Sequence, residues 1–137
     1  MPGLKDIPGE HKLVGYFAGH ATAGAAKEHA VARAPFRCTV TGIAFIPSAN
    51  IVGAAGNYFT VNVRNRGAAG AGAAIPATLA YLNGTNSNAQ IAQALTLSGT
   101  AADLVFAEGD VITAEKAITG AGLACPDGLI VLTVKAS

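Results

Sequence analysis

The stretch Asn57-Tyr58-Phe59-Thr60-Val61-Asn62-Val63-Arg64-Asn65 alternates residue by residue. Phe59, Val61 and Val63 share one side, and Tyr58, Thr60, Asn62 and Arg64 share the other. A period of two with one apolar side is the pattern of a β-strand that buries one face. No helix offers those positions a common face.

Working outward, the same character recurs in short segments separated by turn residues. Toward the N-terminus, Cys38 to Ile46 (CTVTGIAFI) is the strongest β segment. Its apolar set changes parity at Gly42, from Cys38 and Val40 to Ile43 and Phe45, which predicts a β-bulge there. Pro47 ends it. Glu28 to Arg33 and Lys12 to Ala18 precede it, split by a small-residue turn over Thr22 to Ala26. Toward the C-terminus, Gly67 to Ala73 is a Gly/Ala loop. Ile75 to Leu82 resumes the β character, with Pro76 permitting only an edge or a strand start. Asn83-Gly84 is a turn signal. Ser87 to Gln93 reads as a loop or one helical turn, Leu95 to Ser98 as a short strand, and Ala101 to Phe106 is ambiguous. Val111 to Ile118 and the fully apolar Leu129 to Val134 close the series.

About eight short strands at roughly 8–12-residue spacing predict an all-β, antiparallel β-sandwich or barrel. No long 3.6-period segment competes, and no internal repeat is present. Residues 1–11 hold two Pro and two Gly without periodicity and read as an extended N-terminal arm. Residues 12–137 read as one β domain, a length that buries a core without disulfide or metal.

Composition narrows the function classes. Of the 137 residues, 51% are hydrophobic and only 12% charged, against a usual charged share of about 25%. A neutral, Ala- and Gly-rich surface is best tolerated where partner subunits cover it, although codon usage rich in Ala and Gly gives the same balance. Net charge is +1 with Lys and Arg scattered, so the clustered cations that nucleic-acid binding needs are missing. No apolar run is long enough for a membrane helix, and the first ten residues lack the apolar core of a secretory signal. Nucleic acid and membrane are therefore not expected as partners, and synthesis is expected in the cytoplasm.

The candidate chemistry is sparse. His11, His20 and His29 lie nine apart, a spacing that places three ligands on no common helix or strand face. The loop Gly67-Ala68-Ala69-Gly70-Ala71-Gly72 is followed by Ala73-Ala74-Ile75-Pro76, not by the Lys and Ser/Thr of a phosphate loop. Asp103, Glu108 and Asp110 match no calcium loop, and Asp110 fits a capping role in the Gly109 turn. No serine has a neighbouring histidine. Cys38 and Cys125 lack CxxC spacing and read as small buried residues. No catalytic constellation emerges, and no cofactor or metal is expected.

Val61-Asn62-Val63-Arg64-Asn65-Arg66-Gly67, the Gly/Ala loop and Ile75-Pro76-Ala77-Thr78-Leu79-Ala80-Tyr81 together resemble the capsid decoration (cement) proteins of tailed bacteriophages. Glu108-Gly109-Asp110-Val111-Ile112-Thr113, the Gly120-Ala121-Gly122 turn and Pro126-Asp127-Gly128 are similar to the same family. The resemblance runs from about Lys12 onward and rests on turn signatures. It implies a jelly-roll-like sandwich, a structural protein of the virion without catalytic residues, and a homotrimer that clamps major capsid protein subunits on the outer surface of the head. The arm is then the capsid-docking element, through Leu4, Lys5, Ile7, Pro8 and His11. A second reading, from the polar and aromatic loops around Asn50 to Tyr58 and Asn83 to Asn88, is a head-fibre or lectin-like module contacting host-surface glycans. Sugar sites stack a ring on an exposed aromatic, and the chain has no Trp and three Tyr.

Overall fold

The computed structural model describes residues 9–137 and is all-β. The described residues form ten strands: β1 Glu10–Phe17, β2 Lys27–Arg33, β3 Cys38–Pro47, β4 Tyr58–Asn65, β5 Ala74–Ala80, β6 Gln93–Ala94, β7 Thr96–Leu97, β8 Val105–Phe106, β9 Val111–Thr119 and β10 Gly128–Ala136. Two antiparallel sheets face each other. The front sheet runs β1-β10-β3-β6, with β8 also on β3, and the back sheet runs β2-β9-β4-β5-β7.

The pairing is nested. β1 pairs β10, β2 pairs β9, β3 pairs β8, and β4 pairs β5. The chain is thus one long two-stranded ribbon with its tip at the β4–β5 hairpin, wound so that successive strands fall into opposite sheets. That winding is the jelly-roll topology.

Ten strands replace the eight expected because one ribbon position is broken up. β6 and β8 each pair two residues of β3, while β7 pairs β5 in the other sheet. Leu95, between β6 and β7, is buried, and its amide donates to the Ile43 carbonyl at 2.9 Å. The chain steps from one sheet to the other at that residue and shuts one side of the sandwich. A 3-10 turn, Ala101–Leu104, leads into β8. Ser87 to Ala92 is a loop, not a helical turn, with Gln93 already in β6, and Gln90 takes φ +66° within it.

The expected bulge is present. Thr133 pairs Gly42 and Val134 pairs Val40, leaving Thr41 as the extra residue. Pro76 lies in a second irregularity, between the Val63–Ala77 and Asn65–Ala74 pairs, where the ladder requires no amide from it. The strand read from Lys12 starts two residues earlier. Glu10 pairs Lys135 and His11 pairs Val134, and the His11 ring meets Phe36 edge-on at 5.8 Å. Glu10 and His11 therefore belong to the sandwich and not to the arm, because the antiparallel partner β10 extends far enough to pair both.

The core fills from the predicted side of β4. Phe59, Val61 and Val63 are fully buried, together with Phe17, Phe45, Phe106, Ile112, Ile130 and Leu132. Phe17 and Phe45 pack edge-to-face at 5.4 Å across the front sheet. Each such side chain contributes about 1.5–3 kcal/mol on burial. That core needs no crosslink, and Cys38 and Cys125 are both free thiols within it.

Candidate docking surface

The two outer faces of the sandwich differ in chemistry. On the back sheet, outward residues of β2, β4, β5 and β9 form a closed polar network. Arg66 grips Glu28 with two bonds of 2.6 and 2.7 Å, and Thr113 donates to the same carboxylate at 2.6 Å. Arg64 and Asn62 donate to Glu115 at 2.9–3.1 Å, and Thr78 donates to Asn62 at 2.6 Å. The Arg66 guanidinium beside Glu28 pulls that carboxyl down to about 2.

The outer face of the front sheet is the opposite case. Registered across β1, β10 and β3, its outward residues form rows. The lowest row is Glu10, Lys135 and Thr39, followed by Lys12, Thr133 and Gly42. Above these come two apolar rows: Val14, Val131, Ala44 and Ala94, then Tyr16, Leu129 and Ile46. Polar bonds fence the band. Below it, Lys12 donates to Thr133 at 2.7 Å and Thr41 to Glu10 at 2.6 Å. Above it, the Tyr16 hydroxyl donates to Asp127 at 2.5 Å. That bond raises the Tyr16 phenol and lowers the Asp127 carboxyl, which also accepts from the Gly19 amide at 2.8 Å.

This band is open. Val14 is 56% exposed, Tyr16 59% and Leu129 40%. A hollow of about 300 Å³ straddles its lower edge, lined by Lys12, Gly42, Ile43, Ala44, Ile46, Ala92, Ala94, Val131 and Thr133. Gly42 leaves open space on one side of it: a β-carbon there would meet no atom within 4 Å. Contiguous exposed apolar surface with a polar rim marks a contact site for another protein.

The other candidate residues do not converge. His20 forms an isolated bridge with Cys125, and its Nδ1 accepts from the Thr22 amide at 3.2 Å. His29 accepts from the Ala18 amide at 3.0 Å and stacks on Phe17. With His11 on Phe36, the three histidines occupy separate surroundings, and among the described residues no His/Cys/Asp/Glu group is placed to hold a metal. Asp110 caps its turn, accepting from the Ala107 amide and from Asn65, both at 2.9 Å. Asp103 accepts from Ser98 at 2.6 Å. The Gly67–Gly72 loop is the hairpin tip, closed by Arg66, whose carbonyl takes the Gly72 amide at 2.8 Å. Of the docking-arm residues, Leu4, Lys5, Ile7 and Pro8 lie outside the described residues.

Sequence reading missed the apolar band, though a signal existed. Leu129-Ile130-Val131-Leu132 is apolar on both parities, and so is Leu13-Val14 with Tyr16-Phe17. A strand of a two-layer sandwich with apolar residues on both faces has more apolar surface than the core can take.

No protein-family model, no curated protein and no solved structure matches the chain.

Proposed function

We propose that this chain is a structural docking module, a decoration or cement protein that binds the outer surface of a phage head and holds major capsid protein subunits together. The observation that carries the docking role is the open apolar band of the front sheet, set in a chain whose ion pairs are concentrated on the opposite face. An apolar face of that kind gains free energy only when another protein covers it. The low charge of the chain and the turn signatures described above support the capsid as the setting.

Mechanically, a cement protein works by multivalency. A module attached to several shell subunits has to leave all of them together, so modest contacts become durable when joined. A jelly roll suits the task because its first and last strands, β1 and β10, pair along eight residues of the front sheet.

The test is cosedimentation of the full chain with expanded heads assembled from a major capsid protein of the genome that encodes it. Saturable binding to expanded heads, with increased resistance of the shell to heat, is the expected result. Heads that stay bare, or a chain encoded away from any capsid gene, would overturn the reading.

A further inference from the structure

We infer that two copies of this chain join edge to edge through β1, the strands antiparallel with Val14 on the two-fold axis, so that the two front sheets become one.

β1 ends the front sheet. It pairs β10 along its whole length and has no second partner among the described strands. Main-chain groups of successive residues point to opposite sides of an antiparallel strand, so a few bonds fix which groups of β1 stay unpaired. The Ile43 carbonyl accepts from Leu95, on the β6 side, which turns Gly42, Ala44 and Ile46 toward β10. The Asp127 carbonyl accepts from Ser48, and Ser137 donates to the Arg37 carbonyl, which turns the odd-numbered residues of β10 toward β3. Gly128, Ile130, Leu132 and Val134 are left to face β1, where they meet Phe17, Gly15, Leu13 and His11. Glu10, Lys12, Val14 and Tyr16 therefore aim N–H and C=O at the open edge.

Sheet edges are ordinarily blunted by bulges, charges or short length. The other edges of this sandwich are. β2 carries a bulge at Val31, with Lys27 and Arg33 at its ends, and β6, β7 and β8 are two residues each. β1 runs in unbroken register without proline, and its charges stop at Lys12. Such an edge is a template for another strand.

Charge and symmetry select a second β1. Bonding requires even-numbered residues opposite even-numbered ones. Lys12 opposite Lys12 sets like charges face to face, which is unfavourable. Lys12 opposite Val14 brings Glu10 to Tyr16, whose hydroxyl holds Asp127, again like beside like. Val14 opposite Val14 brings Lys12 to Tyr16 of the second copy, where its ammonium meets both a ring and the Asp127 carboxylate. Registers to either side shorten the overlap. The favoured register makes about six main-chain bonds. It also joins the row Val14, Val131, Ala44 and Ala94 to its counterpart, one apolar row about 34 Å long. A contact of this isologous kind closes at two copies. That the joined row meets a capsid rests on the proposed function above; the pairing does not.

Sedimentation of the free full chain at micromolar concentration is expected to find two copies. The Val14 amide gives nothing to β10, so Val14→Pro removes a bond of the interface and none of the ladder within the copy. It is expected to weaken association roughly tenfold or more, one bond being lost from each side. Cysteines read the register. Lys12→Cys and Tyr16→Cys chains, mixed and oxidised, should bridge to each other. Tyr16→Cys alone should not, since its two copies stand about 14 Å apart, and the native Cys38 and Cys125 are buried. A monomer or a trimer overturns the inference, as does a folded Val14→Pro that still pairs. So does Tyr16→Cys bridging as well alone as with Lys12→Cys, a comparison that decides even where Val14→Pro fails to fold. Heads that capture a monomeric chain would sink the pairing and leave the proposed function standing; a dimer that leaves heads bare does the reverse.

Discussion

The ammonium of Lys116 lies 2.9 Å from the carbonyl oxygen of Thr22, with no part of the lysine exposed. It also reaches the carbonyls of Ala23 at 3.2 Å and His20 at 3.4 Å, and stands 5.9 Å from the centre of the Phe59 ring. Burial lowers its pKa. A single β9 side chain thus holds the β1–β2 loop against the sandwich. Lys116→Ala removes the ammonium from three carbonyls, of which His20 and Thr22 keep backbone donors, leaves a cavity beside Phe59, and is expected to cost about 3 kcal/mol. Lys116→Met keeps the packing and is expected to cost less. In both variants the Cys125 amide, bonded to the His20 carbonyl at 2.9 Å, should exchange faster with solvent. Urea unfolding and amide exchange check this; an unchanged exchange rate at Cys125 counts against it.

The back-sheet network makes stability depend on acid. Glu28 is held at about 2, first by its bonds to Arg66 and then by Thr113, against an ordinary 4.5. A carboxyl lowered by folding contributes fully above its unfolded value. The contribution declines as pH falls from about 4.5 toward 2. The span caps it near ~3 kcal/mol, and partial exposure of the pair reduces this to an expected ~1–2 kcal/mol. Glu28→Gln should therefore be less stable than the parent at pH 7 and close to it at pH 2. Denaturation midpoints across that range decide the matter.

Much of this architecture can be read from the chain, and the parts that cannot have physical reasons. Phe59, Val61 and Val63 declare their buried side because the seven consecutive residues from Tyr58 to Arg64 keep one period. Gly42 declares its bulge because the apolar parity flips across it. The divided strand position around Leu95 is silent, since strands of two residues carry no periodicity. The start of β1 is hidden because Glu10 and His11 follow Pro8-Gly9 and owe their pairing to β10, far along the chain. Lys116 shares the parity of Ile112 and Ala114 and so points inward by pattern, but its residue type argues for the surface. The apolar band is legible only as excess: Leu129 and Val131 look like core until Ile130 and Leu132 have filled it.

Both thiols should be inert in the folded protein. Burial pushes Cys125 up to about 12, against partial compensation from the nearby Lys116 ammonium and the His20 backbone, and burial raises Cys38 as well. At pH 8 a thiol of that kind is ionised in roughly one molecule in ten thousand. Ellman's reagent is expected to find no reactive thiol in the native chain and two per chain in urea. Rapid stoichiometric labelling without denaturant would contradict the burial of these residues.

Two glycines of the front sheet should respond oppositely to the same added methyl group. At Gly15 a β-carbon would sit 2.1 Å from the Val31 carbonyl oxygen and 2.7 Å from its carbonyl carbon. Val31 is the unpaired residue where β2 slips register against β9, so the bulge presses against β1 and closes the side of the sandwich opposite Leu95. Gly15→Ala must force the two sheets apart there, with an expected loss of about 2–3 kcal/mol. At Gly42 the same carbon meets nothing within 4 Å, and its backbone is not in the left-handed region. Gly42→Ala is expected to be neutral or to stabilise by up to ~0.5–1 kcal/mol, through the reduced freedom of the unfolded chain. Chemical denaturation of the two variants side by side measures the contrast. Equal effects would mean that the β1–β2 contact is looser than the Gly15–Val31 approach requires.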